Sequence, residues 1–144
     1  MSEQTANRAR SRARRLAVQA VYQHLLGEQP SPVVVKEFIE TRNTGRMDTD
    51  YFRALVTTAA DDRDALDALI DPLLDRPLVQ LDPVEHAVLL LAFVELRDRL
   101  DTPYRVVIDE AVELAKLFGG EGGYKYINAV VDKAAKTLRK AERR

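Results

Sequence analysis

The sequence contains no cysteine, which excludes disulfide frameworks, thiol nucleophiles, iron–sulfur clusters and zinc sites built on thiolates. That fits a reducing cytoplasmic compartment. Tryptophan is also absent, and only 6 of the 144 residues are glycine and 6 proline, too few for a collagen-like or low-complexity chain. The longest strongly apolar run, residues 87–94, is bounded by Glu85, His86 and Glu95, far short of the roughly 20 residues that span a bilayer, so no membrane segment is expected. The N-terminus has no apolar stretch after its charges and does not read as a secretory signal. No phosphate loop is present: Phe118-Gly119-Gly120-Glu121-Gly122-Gly123 lacks the Gly-Lys-Ser/Thr ending and carries an acidic residue where phosphate would lie.

What remains is 46% hydrophobic and 31% charged, the composition of one folded domain. The formal net charge of -1 conceals a segregation. Residues 1–15 carry +4 and residues 133–144 carry +5, which leaves the body strongly acidic. Basic ends on an acidic body suggest a polyanion met by the termini and a different partner met elsewhere; two solubilising tails, flexible over 1–11 and 140–144, are the plainer alternative.

Proline and glycine punctuate the chain. Ser31-Pro32, Asp82-Pro83 and Thr102-Pro103 each pair a capping side chain with proline at the first helical position. Glu85, three residues after Asp82, completes the pattern of a capping box. Between these marks the apolar spacing is helical over approximately 8–26, 32–42, 48–60, 62–75, 83–100, 104–118 and 123–141, and no strand is expected. The fold class is all-α, about seven helices in two packed small bundles forming a single domain over 1–144. The helix from Pro83 is apolar nearly all round and should be central.

At 100° per residue, Arg8, Arg12, Arg15 and Gln19 form a polar stripe opposite Ala13, Ala17, Val18 and Val21. Arg10 and Arg14 fall on the apolar side. Burying them unpaired would be costly, so the first turns of this helix are expected to project beyond the core or stay flexible and leave the arginines free for a partner. Near the other end, Tyr124-Lys125-Tyr126-Ile127-Asn128 puts aromatic, cationic and amide groups at a helix start. A splayed base stacks on a ring, its phosphate meets a cation, and an amide reads a base edge. Tyr124 belongs to the apolar stripe of its helix, which leaves Tyr126 for stacking or for a partly buried structural role. His24 and His86 lack ligand-spaced partners and read as structural. Asp109 with Glu113, and Asp61, Asp62 and Asp64, are ordinary acidic groupings of helix surfaces, so no catalytic centre, metal or cofactor is expected.

A more specific signal comes from Ala17-Val18-Gln19-Ala20-Val21-Tyr22, Tyr51-Phe52-Arg53, Val84-Glu85-His86-Ala87-Val88-Leu89 and Glu95-Leu96. The run from Pro103 to Lys116, then Phe118-Gly119 and Lys125-Tyr126-Ile127-Asn128-Ala129-Val130-Val131-Asp132-Lys133, completes it. In these segments the chain resembles the NusB family of bacterial transcription antitermination factors, from about Arg8 to Leu138. The resemblance implies a non-enzymatic role: binding the single-stranded boxA element of nascent ribosomal RNA together with NusE, a small-subunit ribosomal protein, and joining the elongating RNA polymerase complex with other Nus factors. It implies RNA contacts by Arg8, Arg10, Arg12, Arg14, Lys125, Tyr126 and Asn128, and a NusE interface at Tyr22, Leu26 and Glu85. Ser11 interrupts what is often an unbroken arginine run, and Gly122-Gly123 replaces a more polar stretch.

Overall fold

The computed structural model describes residues 2–143, and among them every regular element is helical. Seven α-helices follow in order: α1 (Glu3–Gly27), α2 (Ser31–Thr41), α3 (Thr49–Asp61), α4 (Arg63–Ile70), α5 (Pro83–Asp98), α6 (Tyr104–Phe118) and α7 (Gly123–Leu138). The chain between α4 and α5 holds two short 3₁₀ turns, Asp71–Leu73 and Leu78–Gln80, because Pro72 and Pro77 end the α-helical pattern that the periodicity extended to residue 75.

Helices α1, α2 and α3 pack on one another, and so do α5, α6 and α7; α5 also rests on α1, α3 and α4, so the two bundles share one core. Every residue of α5 from His86 to Leu96 is buried, the outcome that an all-round apolar helix requires.

The ends of the helices differ from the simple cap-and-proline reading in an informative way. Asp82 caps α5 as expected, its Oδ1 accepting from the Val84 amide at 2.8 Å, but Glu85 faces Gly123 and Arg76. Ser31 is already helical and its hydroxyl donates to Asp61 Oδ1 at 2.8 Å, joining α2 to the end of α3. Thr102 is buried beneath Arg10, and the amide of Tyr104 donates instead to Glu142 Oε2 at 2.7 Å. The cap of α6 is therefore supplied from beyond α7. Arg143 joins Asp132 at 2.8 Å, so the basic C-terminal segment lies against the domain as far as residue 143.

Helix α1 begins at Glu3, with Ser2 Oγ accepting from the Thr5 amide at 3.0 Å, and the segment expected as a flexible basic tail is helical from residue 3. It is also docked: the amide of Asp48 donates to Ala9 O at 3.1 Å, tying the entry of α3 to α1.

Candidate nucleic-acid interface

Only part of the N-terminal arginine set faces solvent. Arg14 is 3% exposed; its Nε and Nη2 donate to Glu95 Oε1 and Oε2, both at 2.8 Å, and Glu110 lies 3.5 Å from Nη1. Tyr51 OH donates to Glu95 Oε2 as well. Burial by itself would lower the pKa of Arg14, but the bonds and charge of Glu95, with Tyr51 and Glu110, raise it above the ordinary arginine value and keep the group charged. The same burial and the same carboxylate push the Tyr51 phenol up, so it stays a neutral donor. Arg14, expected free for RNA, is thus a structural ion pair, and the helical periodicity that put it on the apolar side of α1 is the reading the fold obeys.

Arg10, the other arginine on that side, is half-buried. Its guanidinium lies 4.4 Å from the Tyr51 ring centroid, 3.2 Å from Asp101 Oδ2 and 3.4 Å from Thr102 Oγ1. It ties α1 to the α5–α6 turn. The expectation that this helix projects beyond the core is therefore overturned on its inner side, where acidic partners from α5, α6 and the turn make arginine burial affordable.

Arg8, Arg12 and Arg15, spaced one turn apart along the outer side of α1, have no acidic partner within 4.0 Å among the described residues. On one flank this stripe meets α6: Ser11 Oγ donates to Glu110 Oε1 at 2.6 Å, and a hollow lined by Arg15, Glu113, Lys116 and Leu117 follows. Lys116 in turn lies 4.9 Å over the ring of Tyr124, at the start of α7. From Glu110 to Lys116 the axial rise is only about 9 Å, so the surface of α6 links the arginine stripe to the second expected cluster.

In that cluster Gly122, at φ 79°, turns the chain into α7, a left-handed conformation that a side chain would strain. Lys125 and Asn128 are exposed, and Tyr126 is half-buried. The Tyr126 oxygen accepts from the Asp75 amide at 3.3 Å, and Arg76 stacks on one ring face, its guanidinium 4.3 Å from the centroid while it pairs with Asp75 at 2.8 Å. Hydrogen bonding to Arg76 holds the Asp75 carboxyl below its usual range; burial pushes the Tyr126 phenol up. Neither Asp75 nor Arg76 is evident from sequence spacing, because each reaches Tyr126 across the fold.

Of the residues expected at a protein interface, Tyr22 and Leu26 stand one turn apart on α1, 37% and 61% exposed, over a hollow they share with Phe38 and Arg42. Glu85 lies apart from them, at the start of α5, where burial and the nearby Asp82 raise its pKa while Arg76 lowers it. A line of charged contacts joins the two places: Arg63 lies 3.5 Å from Glu28 and 3.8 Å from Asp67, and Asp67 lies 2.6 Å from His86 Nε2. His24 bonds Gln29 O at 2.6 Å just past the end of α1, so one histidine holds a local turn and the other a tertiary contact. Among the described residues no three His, Asp or Glu side chains converge as a metal site, and no helix is long and apolar enough to cross a membrane.

Residues 11–136 match the model of the NusB family. The chain is 48% identical over 134 residues to the transcription antitermination protein NusB of Paraburkholderia xenovorans, covering 93% of each chain. It is 45% identical over 131 residues to that of Idiomarina loihiensis, covering 91% of this chain and 94% of the relative. A solved structure of T. maritima NusB superposes with a TM-score of 0.77 at 29% identity, covering 88% of this chain and 90% of that one.

Proposed function

Because the chain belongs to the NusB family of transcription antitermination proteins, we propose that it acts in the cytoplasm as an RNA-binding adaptor. In this role it takes up the single-stranded boxA element of nascent ribosomal RNA together with the ribosomal protein NusE and brings both to the elongating RNA polymerase with other Nus factors. The observation that carries this reading is the outer side of α1. Arg8 and Arg15 are exposed and Arg12 is half-buried, none has an acidic partner within 4.0 Å among the described residues, and Lys116 of α6 reaches from the hollow beside Arg15 to the ring of Tyr124, next to Lys125 at the start of α7. Cations without carboxylates retain their full attraction for phosphate. A half-buried ring with one face already covered by Arg76 offers its other face to a single base.

In this reading Arg8 and Arg12 meet phosphates, Lys125 meets a third, Tyr126 stacks and Asn128 reads a base edge. Arg10 contributes mainly positive potential, since its guanidinium is shared with Asp101 and Tyr51. NusE is assigned to Tyr22 and Leu26, which supply apolar contact, and to Glu85, beside Arg76 and the start of α7, whose carboxylate a basic residue of the partner would relieve.

Fluorescence anisotropy of labelled boxA RNA and of a scrambled RNA of equal length, with and without NusE and at two salt concentrations, tests the proposal. Preference for boxA, strengthened by NusE and weakened steeply by salt, is the expected result. Equal binding of both RNAs, or none with NusE present, would refute it and leave a helical protein-binding scaffold with basic ends.

A further inference from the structure

The α2–α3 loop holds a cation that the sequence patterns do not single out. Arg46 has φ 62°, a left-handed backbone that a long side chain rarely adopts. The neighbouring Gly45 does not take that conformation. Its amide donates to Asn43 Oδ1 at 3.0 Å, and a side chain there would sit 3.2 Å from the same oxygen. The loop thus uses its glycine for a close approach and places an arginine at the left-handed position, a cost of the order found at functional sites.

That conformation puts Arg46 on a groove of about 690 Å³ between the loop and the first turns of α1, where Arg8 and Arg12 also line the wall. An adjoining hollow continues past Arg12 to Arg15, Asn43 and Gly45. None of these four arginines has a carboxylate within ion-pairing distance among the described residues. Of the two carboxylates on the groove, Asp48 is engaged in the fold and Asp50 stands out in solvent. Asp48 Oδ1 accepts from the Tyr51 amide at 3.0 Å and its Oδ2 lies 4.0 Å from Arg10, while Asp50 pairs with Arg53 at 3.9 Å.

We propose that Arg46 closes a three-arginine clamp with Arg8 and Arg12 that grips the phosphodiester backbone of single-stranded RNA, so that the RNA track runs past α1 onto the α2–α3 loop. The clamp rests on the RNA-binding reading above and extends it. Guanidinium groups from two separate elements around an open groove suit a chain of phosphates, which a flexible single strand can present from two sides. Because the clamp meets only the backbone, it adds affinity without choosing sequence.

Anisotropy titrations of fluorescein-labelled boxA RNA and of an oligouridine of equal length, each over a range of salt, test the clamp. Arg46→Gln should weaken binding of both RNAs by the same factor, about three- to tenfold, and reduce the slope of log affinity against log salt by about 0.7, the share of one phosphate contact on a single strand. Arg46→Gly should lose the same affinity while its melting temperature holds or rises, since glycine accepts the left-handed turn. Lys36→Gln, which removes an exposed cation of α2 outside the groove, should bind as the wild type does. If either Arg46 variant retains wild-type affinity and slope, the clamp is overturned although RNA binding stands. If the wild type binds neither RNA even with NusE present, both readings fall.

Discussion

Arg14 and Glu95 hold each other by two parallel hydrogen bonds of 2.8 Å inside the domain, 3% and 2% exposed, joining the N-terminal helix to the central one. A buried pair of this kind is worth little against an apolar substitute but is costly to break, because the partner left behind is an unpaired charge. Arg14→Ala should destabilise the chain by about 3–5 kcal/mol, while the Arg14→Leu, Glu95→Leu double variant lies closer to the wild type than either single variant in urea denaturation. Arg14→Lys, measured at a temperature where it is folded, should bind RNA as the wild type does. A specific loss of RNA affinity in that variant would restore Arg14 to the binding surface.

Tyr126 combines two roles that separate by substitution. Tyr126→Ala removes the ring and should cost about 1–3 kcal/mol of RNA affinity in anisotropy titrations. Tyr126→Phe keeps the ring and loses only the acceptor for the Asp75 amide. It should bind RNA within a factor of about two, at a stability cost of about 0.5–1.5 kcal/mol.

Glu85 is held in a mildly unfavourable place by burial and by Asp82. A carboxyl whose pKa is raised on folding contributes stability at low pH and loses it as the pH rises through the folded value. At neutral pH, Glu85→Gln should therefore stabilise the free protein, by about half a kcal/mol once solvent screening is allowed for, and a melting curve reads this. The same substitution should weaken NusE binding in calorimetry, and Glu85→Lys should weaken it further while raising RNA affinity of the isolated chain slightly, because the new cation stands beside Arg76 and the start of α7.

Glu142 shows the opposite sign. The bond from the Tyr104 amide and the ion pair with Arg139 hold its carboxyl below the usual range. Its contribution is present above the unfolded pKa and is lost as the pH falls through the folded value. Glu142→Gln should cost about 0.5–1 kcal/mol at pH 7, the scale of a lost helix cap, and the deficit should shrink as the pH falls below the ordinary carboxylate range. A deficit independent of pH would mean that the carboxylate charge is not what caps α6.

The places where sequence reading succeeded and failed share a physical cause. Helix existence follows from local spacing and from proline and glycine, so all seven helices were legible, and α6 was read to its observed ends. The caps were less legible because their partners are distant: Glu142 serves Tyr104, and Ser31 serves Asp61. Arg14 shows the limit most clearly. Periodicity put it on the inner side, but its partner lies at the end of an apolar run on another helix, so burial looked prohibitive and the residue was expected outside. In the candidate site, Lys125, Tyr126 and Asn128 announce themselves by chemistry, whereas Arg76 and Arg46 acquire meaning only when the fold brings them beside Tyr126 and α1.

Arg139, at the end of α7, is buried against α5 and donates to four backbone oxygens, those of Glu95, Leu96, Arg99 and Thr102, at 2.7 to 3.0 Å. These oxygens belong to the end of α5 and the turn after it, the same region that Arg10 and Arg14 use to anchor α1. One stretch of backbone, the end of α5 and the turn after it, thus fastens both the first helix and the end of the last one.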